Sequence, residues 1–236
     1  MGREKVFRFK QFSVLNDKTA MKVGTDGVLL GSWCDVDDAA TVLDVGTGSG
    51  VIALMIAQRN SRAMIQGIDI DEQAVAEAAL NFRNSPWTAR LRAKVQDFNS
   101  TDGDERYDLI VANPPFFDNG VLPPSQARML ARHTYALTLD QLISRSSCML
   151  SHGGILSFIA PATAEPAVRR CLASVSLYVK RMATVVPVEG AEPKRIMLEV
   201  TNQEVTTACE TITIQTASRH YTRRYIELTH DFYLKM

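Results

Sequence analysis

The segment Ala112-Asn113-Pro114-Pro115-Phe116-Phe117 follows the apolar run Tyr107-Asp108-Leu109-Ile110-Val111, and its residue types suit one chemical task, holding an amine nitrogen. An amine conjugated to an aromatic ring is a weak nucleophile because its lone pair is delocalised. Two acceptors on its N–H groups favour a pyramidal nitrogen and disperse the positive charge that grows as it attacks. The Asn113 side-chain oxygen and the Pro114 carbonyl can be those acceptors, and successive prolines stiffen the backbone that carries them. Phe116 offers a flat face to an unstacked base, a contact worth roughly 1–3 kcal/mol in single-strand binders. A plainer reading is that prolines end strands because they have no N–H to give the sheet. Phe117 can simply be core.

A second segment favours the chemical reading. Asp44-Val45-Gly46-Thr47-Gly48-Ser49-Gly50 ends one apolar run and opens a helical pattern, where bare glycines let backbone approach a ligand. Asp69 closes the next apolar run, where a carboxylate can hold ribose hydroxyls. The Gly-x-Gly-x-x-Gly of nicotinamide enzymes is not met, since counting from Gly46 puts Val51 at the third glycine. A phosphate-free cofactor with an amino-acid end needs no pyrophosphate site, and Asp44 can take its ammonium directly or through water. Asp97 can accept from an adenine amino group, with Phe98 as the apolar neighbour against the ring. Taken singly, the glycines fit an ordinary strand–helix turn and Asp69 a charge at a helix start. Together they favour S-adenosylmethionine. Attack on its sulfonium methyl needs nitrogen and carbon held about 3 Å apart, and neither metal, covalent intermediate nor obligate base.

The elements that must position these groups alternate. Residues 41–45, 63–70, 91–95, 107–111, 155–159, 178–188 and 195–201 read as strands. Residues 49–58, 71–84, 139–150 and 164–173 carry apolar side chains at helical spacing. Such alternation predicts a parallel sheet covered on both faces. The last two strands, joined by the short turn Glu189–Pro193, have to pair antiparallel. Ligands of open α/β sheets bind at the carboxyl ends of the strands, so Asn113 and the glycine loop should share one crevice. Residues 1–40 are expected to be an N-terminal extension, 41–203 the core, and 204–236 a C-terminal strand and helix, all in one compact domain.

Bulk properties narrow the class further. The 236 residues are 46% hydrophobic and 22% charged, a profile that suits a globular protein with a sizeable core. The 26 basic and 26 acidic side chains cancel, so any nucleic acid must be met by local patches. The charged start MGREKVFRFKQF has no apolar signal region, and the run Val51–Ala57 is too short to span a bilayer. Four scattered cysteines with no CxxC pair argue for a reducing compartment, the cytoplasm, and against a structural metal.

In FRFKQF, KVGTDGVLLGSW, DVGTGSG, GIDID, NPPF, ARH and LTHDFYLKM the chain resembles the class I amino-methyltransferases carrying (N/D)PP(F/Y). More narrowly, it is similar to the bacterial tRNA (adenine-N6)-methyltransferases that modify the adenosine beside the anticodon of a valine tRNA. The resemblance implies an α/β, Rossmann-like class I fold with a mixed seven-stranded sheet, helices on both faces and the last strand antiparallel. It implies that the extension of residues 1–40 covers the cofactor site, residues 22–33 folding over S-adenosylmethionine with Thr25 and Asp26 near its methionine end. It also implies tRNA, through its anticodon loop, as the partner of a monomer or weak dimer. For the RNA face, Arg128, Arg132 and His133 follow NPPF, and Arg223 and Arg224 lie in the basic and aromatic stretch 218–225. Such groups suit phosphates and unstacked bases, and an exposed loop base is cheap to flip. Without the resemblance they read equally well as a solvated face, and His133 as a packed or capping histidine. Related motifs serve methylation of protein glutamine, rRNA guanine or DNA adenine. The glutamine enzymes usually carry NPPY and an N-terminal helical domain, for which the roughly forty residues before the first core strand are too few. A non-catalytic cofactor-binding RNA module is the remaining alternative, disfavoured by the presence of both motifs.

Overall fold

The apolar runs join one sheet because their alternate side chains serve both of its faces. The computed structural model describes residues 6–19, 21–100, 105–114 and 137–235. A small hairpin, β1 (Val6–Arg8) with β2 (Ser13–Leu15), stands apart from the main sheet. The main strands are β3 (Thr41–Val45), β4 (Met64–Asp69), β5 (Leu91–Val95), β6 (Tyr107–Ala112), β7 (Leu150–Pro161), β8 (Tyr178–Val188), β9 (Arg195–Thr201) and β10 (Ala208–Gln215). They form an eight-stranded sheet in the order β10-β8-β9-β7-β6-β3-β4-β5. Every neighbouring pair is parallel except those of β9, which runs antiparallel to β7 and β8. The seven strands expected are therefore present, with the last of them antiparallel. β10 adds an eighth, burying Ile212 and pairing the edge that β8 would otherwise expose.

Val42, Leu109 and Val111 face one core, which is closed by α1 (Thr25–Trp33), α2 (Val51–Arg59), α3 (Glu72–Arg83) and α6 (Arg223–Thr229). Leu43, Ile110 and Ala112 face the other, closed by α4 (Leu139–Met149) and α5 (Glu165–Ser174). Helix α1 and strand β7 differ most from the sequence reading. Helix α1 buries every residue from Gly27 to Trp33, so it has no polar face and hence no helical periodicity to read. Strand β7 begins at Leu150 rather than 155 and carries Gly153 and Gly154 through an irregularity opposite Tyr107–Leu109, which is why the glycines looked like a break. The two ends of the chain meet: Phe9 bridges Tyr233, stacks on Phe12 at 4.6 Å, and is followed by a bond from the Lys10 amide to the Phe232 carbonyl.

Register sets the site. Val45 lies opposite Ile68 on one side and Ala112 on the other, and Asp69 lies opposite Val95. The residues that follow these strands therefore leave the sheet along one edge.

Candidate active site

The turn after β3 is built from backbone that only glycine adopts readily. Gly46, Gly48 and Gly50 have φ of 68°, 54° and 79°, and Gly50 caps α2. Thr47, between them, donates its hydroxyl to Asp44 Oδ2 at 2.7 Å and its amide to the Ile68 carbonyl at 2.9 Å. That seat requires Gly67 on β4, because a Cβ there would stand 2.6 Å from Thr47 Oγ1. The loop is thus locked to β3 and β4, with Gly46 exposed, Gly48 half-buried and Gly50 packed under the Phe82 ring.

Two carboxylates serve this turn. Asp69 accepts from the Gly48 amide and from the Asp71 amide, each at 3.0 Å, and so ties the loop to the end of β4. Asp44 is only 1% exposed, and its Oδ1 makes no hydrogen bond among the described residues. Burial pushes its carboxyl up to about 7, and the Asp69 charge adds to that; the Thr47 hydroxyl and the Ala53 amide in the first turn of α2 work the other way. A buried acceptor lacking a donor, beside a loop that bares its backbone, fits a ligand carrying an ammonium group. Asp97 caps the short helical turn Phe98–Ser100, accepting from the Asn99 amide at 2.9 Å. Phe98 is core, 4% exposed and packed with Val45 and Ile68, which leaves it little face to offer a ligand ring.

Asn113 leaves β6 next to the turn that leaves β3, as the Val45–Ala112 pairing dictates. Its side chain is half-buried and makes no hydrogen bond among the described residues, while Pro114 is buried. An added Cβ on Gly27 would stand 3.7 Å from Asn113 Nδ2 and 3.7 Å from Val51, so the first turn of α1 packs over both Asn113 and the start of α2. Beside Gly27, Asp26 receives Arg195 Nε at 2.8 Å from the start of β9, and Thr25 is exposed. One edge of the sheet therefore gathers Thr25, Asp26, Asp44, the three glycines, Asp69, Asp97 and Asn113.

The other candidates divide. Phe116, Arg128, Arg132 and His133 lie outside the described residues. Arg223 is 93% exposed and pairs with Glu227 one turn along α6. Arg224 instead gives two nitrogens to Glu210 Oε2, at 3.0 and 2.8 Å, while Glu210 Oε1 takes the Trp33 indole N–H at 2.7 Å. Sequence reading missed Thr47, Gly67, Arg195, Glu77 and Asn81. The last two had a signal: two polar residues four apart on the face that α3 otherwise makes from Ala74, Ala78 and Phe82. Among the described residues there is no cluster of His, Cys, Asp or Glu fit for a metal, and no helix long and apolar enough to cross a membrane.

A mixed sheet with a glycine turn after its first long strand, an acid after the second and Asn-Pro after the fourth defines a Rossmann-like class I methyltransferase. The chain belongs to the methyltransferase small domain family, whose model matches residues 23–181. It is 40% identical, over 98% of both chains, to the tRNA1(Val) (adenine(37)-N6)-methyltransferase of Bacteroides fragilis. To the enzyme of that name from Flavobacterium psychrophilum it is 43% identical, over 98% of this chain and 100% of that one. Among solved structures it resembles a predicted O-methyltransferase from Agrobacterium tumefaciens, with a TM-score of 0.70 at 18% identity, covering 88% of this chain and 96% of that one. It also resembles TrmN from Thermus thermophilus, with a TM-score of 0.56 at 19% identity over 75% of this chain and 48% of that one. At such identities these two likenesses speak for the fold alone.

Proposed function

We propose that this protein methylates the exocyclic N6 amine of adenosine 37 in the anticodon loop of tRNA1(Val), using S-adenosylmethionine. The observation that carries the reading is Asn113, with its side-chain amide unbonded among the described residues, one strand across from the glycine turn. Its support is the near-complete, 40%-identical match to relatives bearing that name.

The site fits the cofactor: bare glycine backbone, an acid at the end of β4, and a buried carboxylate oxygen in need of a donor. When bound, S-adenosylmethionine supplies an electrophilic methyl group. Asp69 holds ribose hydroxyls, Asp97 accepts from the adenine amine, and Asp44 meets the ammonium. Thr25 and Asp26 flank the methionine end, with Asp26 steadied by Arg195. The Asn113 side-chain oxygen and the Pro114 carbonyl accept from the substrate N6 hydrogens, which concentrates the nitrogen lone pair toward the methyl carbon. Pro114 is buried, its own ring fixes its φ, and the proline that follows it in the sequence restricts the torsion that aims its carbonyl. Phe116 stacks the target base, and the proton leaves to water after transfer.

In this reading residues 1–40 cover the cofactor, 41–203 are the catalytic core, and 204–236 face the RNA through Arg223 and the exposed Tyr221. Arg128, Arg132 and His133 serve the same RNA, and the protein works in the cytoplasm as a monomer or weak dimer. The test is incubation with labelled cofactor and unmodified total tRNA, followed by nucleoside mapping. Label in N6-methyladenosine at the single anticodon-loop position is expected. Label in another nucleoside, or none in RNA, overturns the reading.

A further inference from the structure

Helix α3 buries two polar side chains that neither the sheet nor the helix itself needs. Glu77 is 3% exposed and Asn81 is 2% exposed. A buried carboxylate is costly unless its charge is answered. Among the described residues no lysine or arginine pairs with Glu77; three successive backbone N–H groups answer it. The Asp17 and Lys18 amides donate to Oε2 at 2.8 and 2.7 Å, and the Thr19 amide donates to Oε1 at 3.3 Å. Consecutive amides converging on one anion form the concave nest that backbone offers to negative charge.

One turn further, Asn81 reads the same segment as a strand would. Its Oδ1 accepts from the Leu15 amide at 2.7 Å, and its Nδ2 donates to the Leu15 carbonyl at 2.9 Å. The same Nδ2 donates to the Ser49 carbonyl, also at 2.9 Å, in the residue before Gly50. Asn81 therefore joins the strap of residues 13–19 directly to the glycine turn. The strap leads into α1, whose first turn lies against Asn113.

We propose that Glu77 and Asn81 are positioning residues that hold this strap closed on the glycine turn, so that cofactor retention depends on two side chains outside the cofactor crevice. The inference rests on the cofactor site proposed above. An amide is required at 81, because both its acceptor and its donor are used. At 77 an acid is required, since a glutamine would turn an N–H group toward amides that are already donors.

The test uses the full chain with Glu77→Gln, Asn81→Ala and, from the strap side, Asp17→Pro, which deletes one N–H of the nest without altering α3. The measurements are S-adenosylmethionine binding by calorimetry, the KM for cofactor and for tRNA, kcat, and tryptic cleavage after Lys18 and Lys22. We expect cofactor binding about tenfold weaker, as for one lost hydrogen bond to a buried group. Cleavage should be faster, while kcat at saturating cofactor and the KM for tRNA stay close to the parent values. If a helix variant does not fold, Asp17→Pro decides. Parent-like cofactor affinity in the folded variants overturns the inference, as does a fall in kcat with an unchanged KM for cofactor. Failure of the parent protein to bind S-adenosylmethionine would instead remove the cofactor reading.

Discussion

The edge of the sheet after β3 and β4 and the margin made by β10 and α6 use charge in opposite ways. At the first, a buried and a half-buried carboxylate are met by hydrogen bonds from the chain itself: Asp69 by the Gly48 and Asp71 amides, Asp44 by the Thr47 hydroxyl. At the second, arginines lie at the surface and meet carboxylates: Arg223 with Glu227, and Arg224 with Glu210. Enclosed charge is specific because it costs free energy unless a partner is set for it. Exposed charge is inexpensive and contributes little unless a partner arrives. The difference teaches where single residues should matter most. Variants in the crevice should change chemistry or cofactor binding steeply, and variants at the margin should change RNA affinity gently and in proportion to salt.

The largest effect is expected at Asn113. Asn113→Ala should lose on the order of 100-fold or more in turnover, the usual loss on removing a hydrogen-bond partner of the transition state, while cofactor affinity holds. Calorimetry with a methyl-transfer assay checks this, and parent-like turnover would move the amine site elsewhere. Next comes Asp69→Ala, which should weaken cofactor binding by about 10- to 100-fold, since hydrogen bonds to a charged group are lost. Equal affinity would show that Asp69 serves the loop alone.

A pH titration sharpens the role of Asp44. Burial raises its carboxyl to about 7, so its contribution favours the folded apo protein at low pH and is lost as pH rises through that value. If the ammonium meets the ionised form, binding must release a proton below pH 7. Affinity should then fall about tenfold per pH unit under 7. Asp44→Asn should flatten that dependence, and calorimetric heats should vary with the ionisation heat of the buffer. A flat profile in the parent would confine Asp44 to capping the Thr47 turn.

The smallest effects belong to the margin. Arg223→Ala should raise the KM for tRNA about threefold and reduce its salt dependence, as loss of one phosphate contact does. Arg224→Ala should act differently. Burial works against ionised Glu210, but the Trp33 indole and Arg224 outweigh it and hold its carboxyl below the usual value. Removing Arg224 should therefore cost up to about 1 kcal/mol of stability in a chemical melt. A purely salt-sensitive loss of tRNA affinity at Arg224 would reverse that assignment.

Much of the frame was legible in the chain. Residues 91–95, 178–188 and 195–201 are strands with the very bounds that their sequence runs suggest, and the glycine turn falls where a strand run meets a helical one. Strands of this kind are read easily because their register with neighbours does not alter their own pattern. Helix α1 was not legible as a helix, because burial on all sides erases the polar stripe that marks one. The start of β7 was hidden for the opposite reason, since two glycines interrupt a strand that its partner nevertheless pairs.

The sequence by itself determined the local chemistry: which residues can accept, donate or stack, and which turns only glycine can make, since these depend on side-chain type and neighbours in the chain. Tertiary structure alone decided which of those groups meet. The Thr47 seat on Gly67, the clasp of Glu77 and Asn81 on residues 15–19, the Asp26–Arg195 pair and the diversion of Arg224 to Glu210 each join residues from separate elements. No periodicity records such contacts, because they depend on strand order and helix packing, which the chain specifies only as a whole.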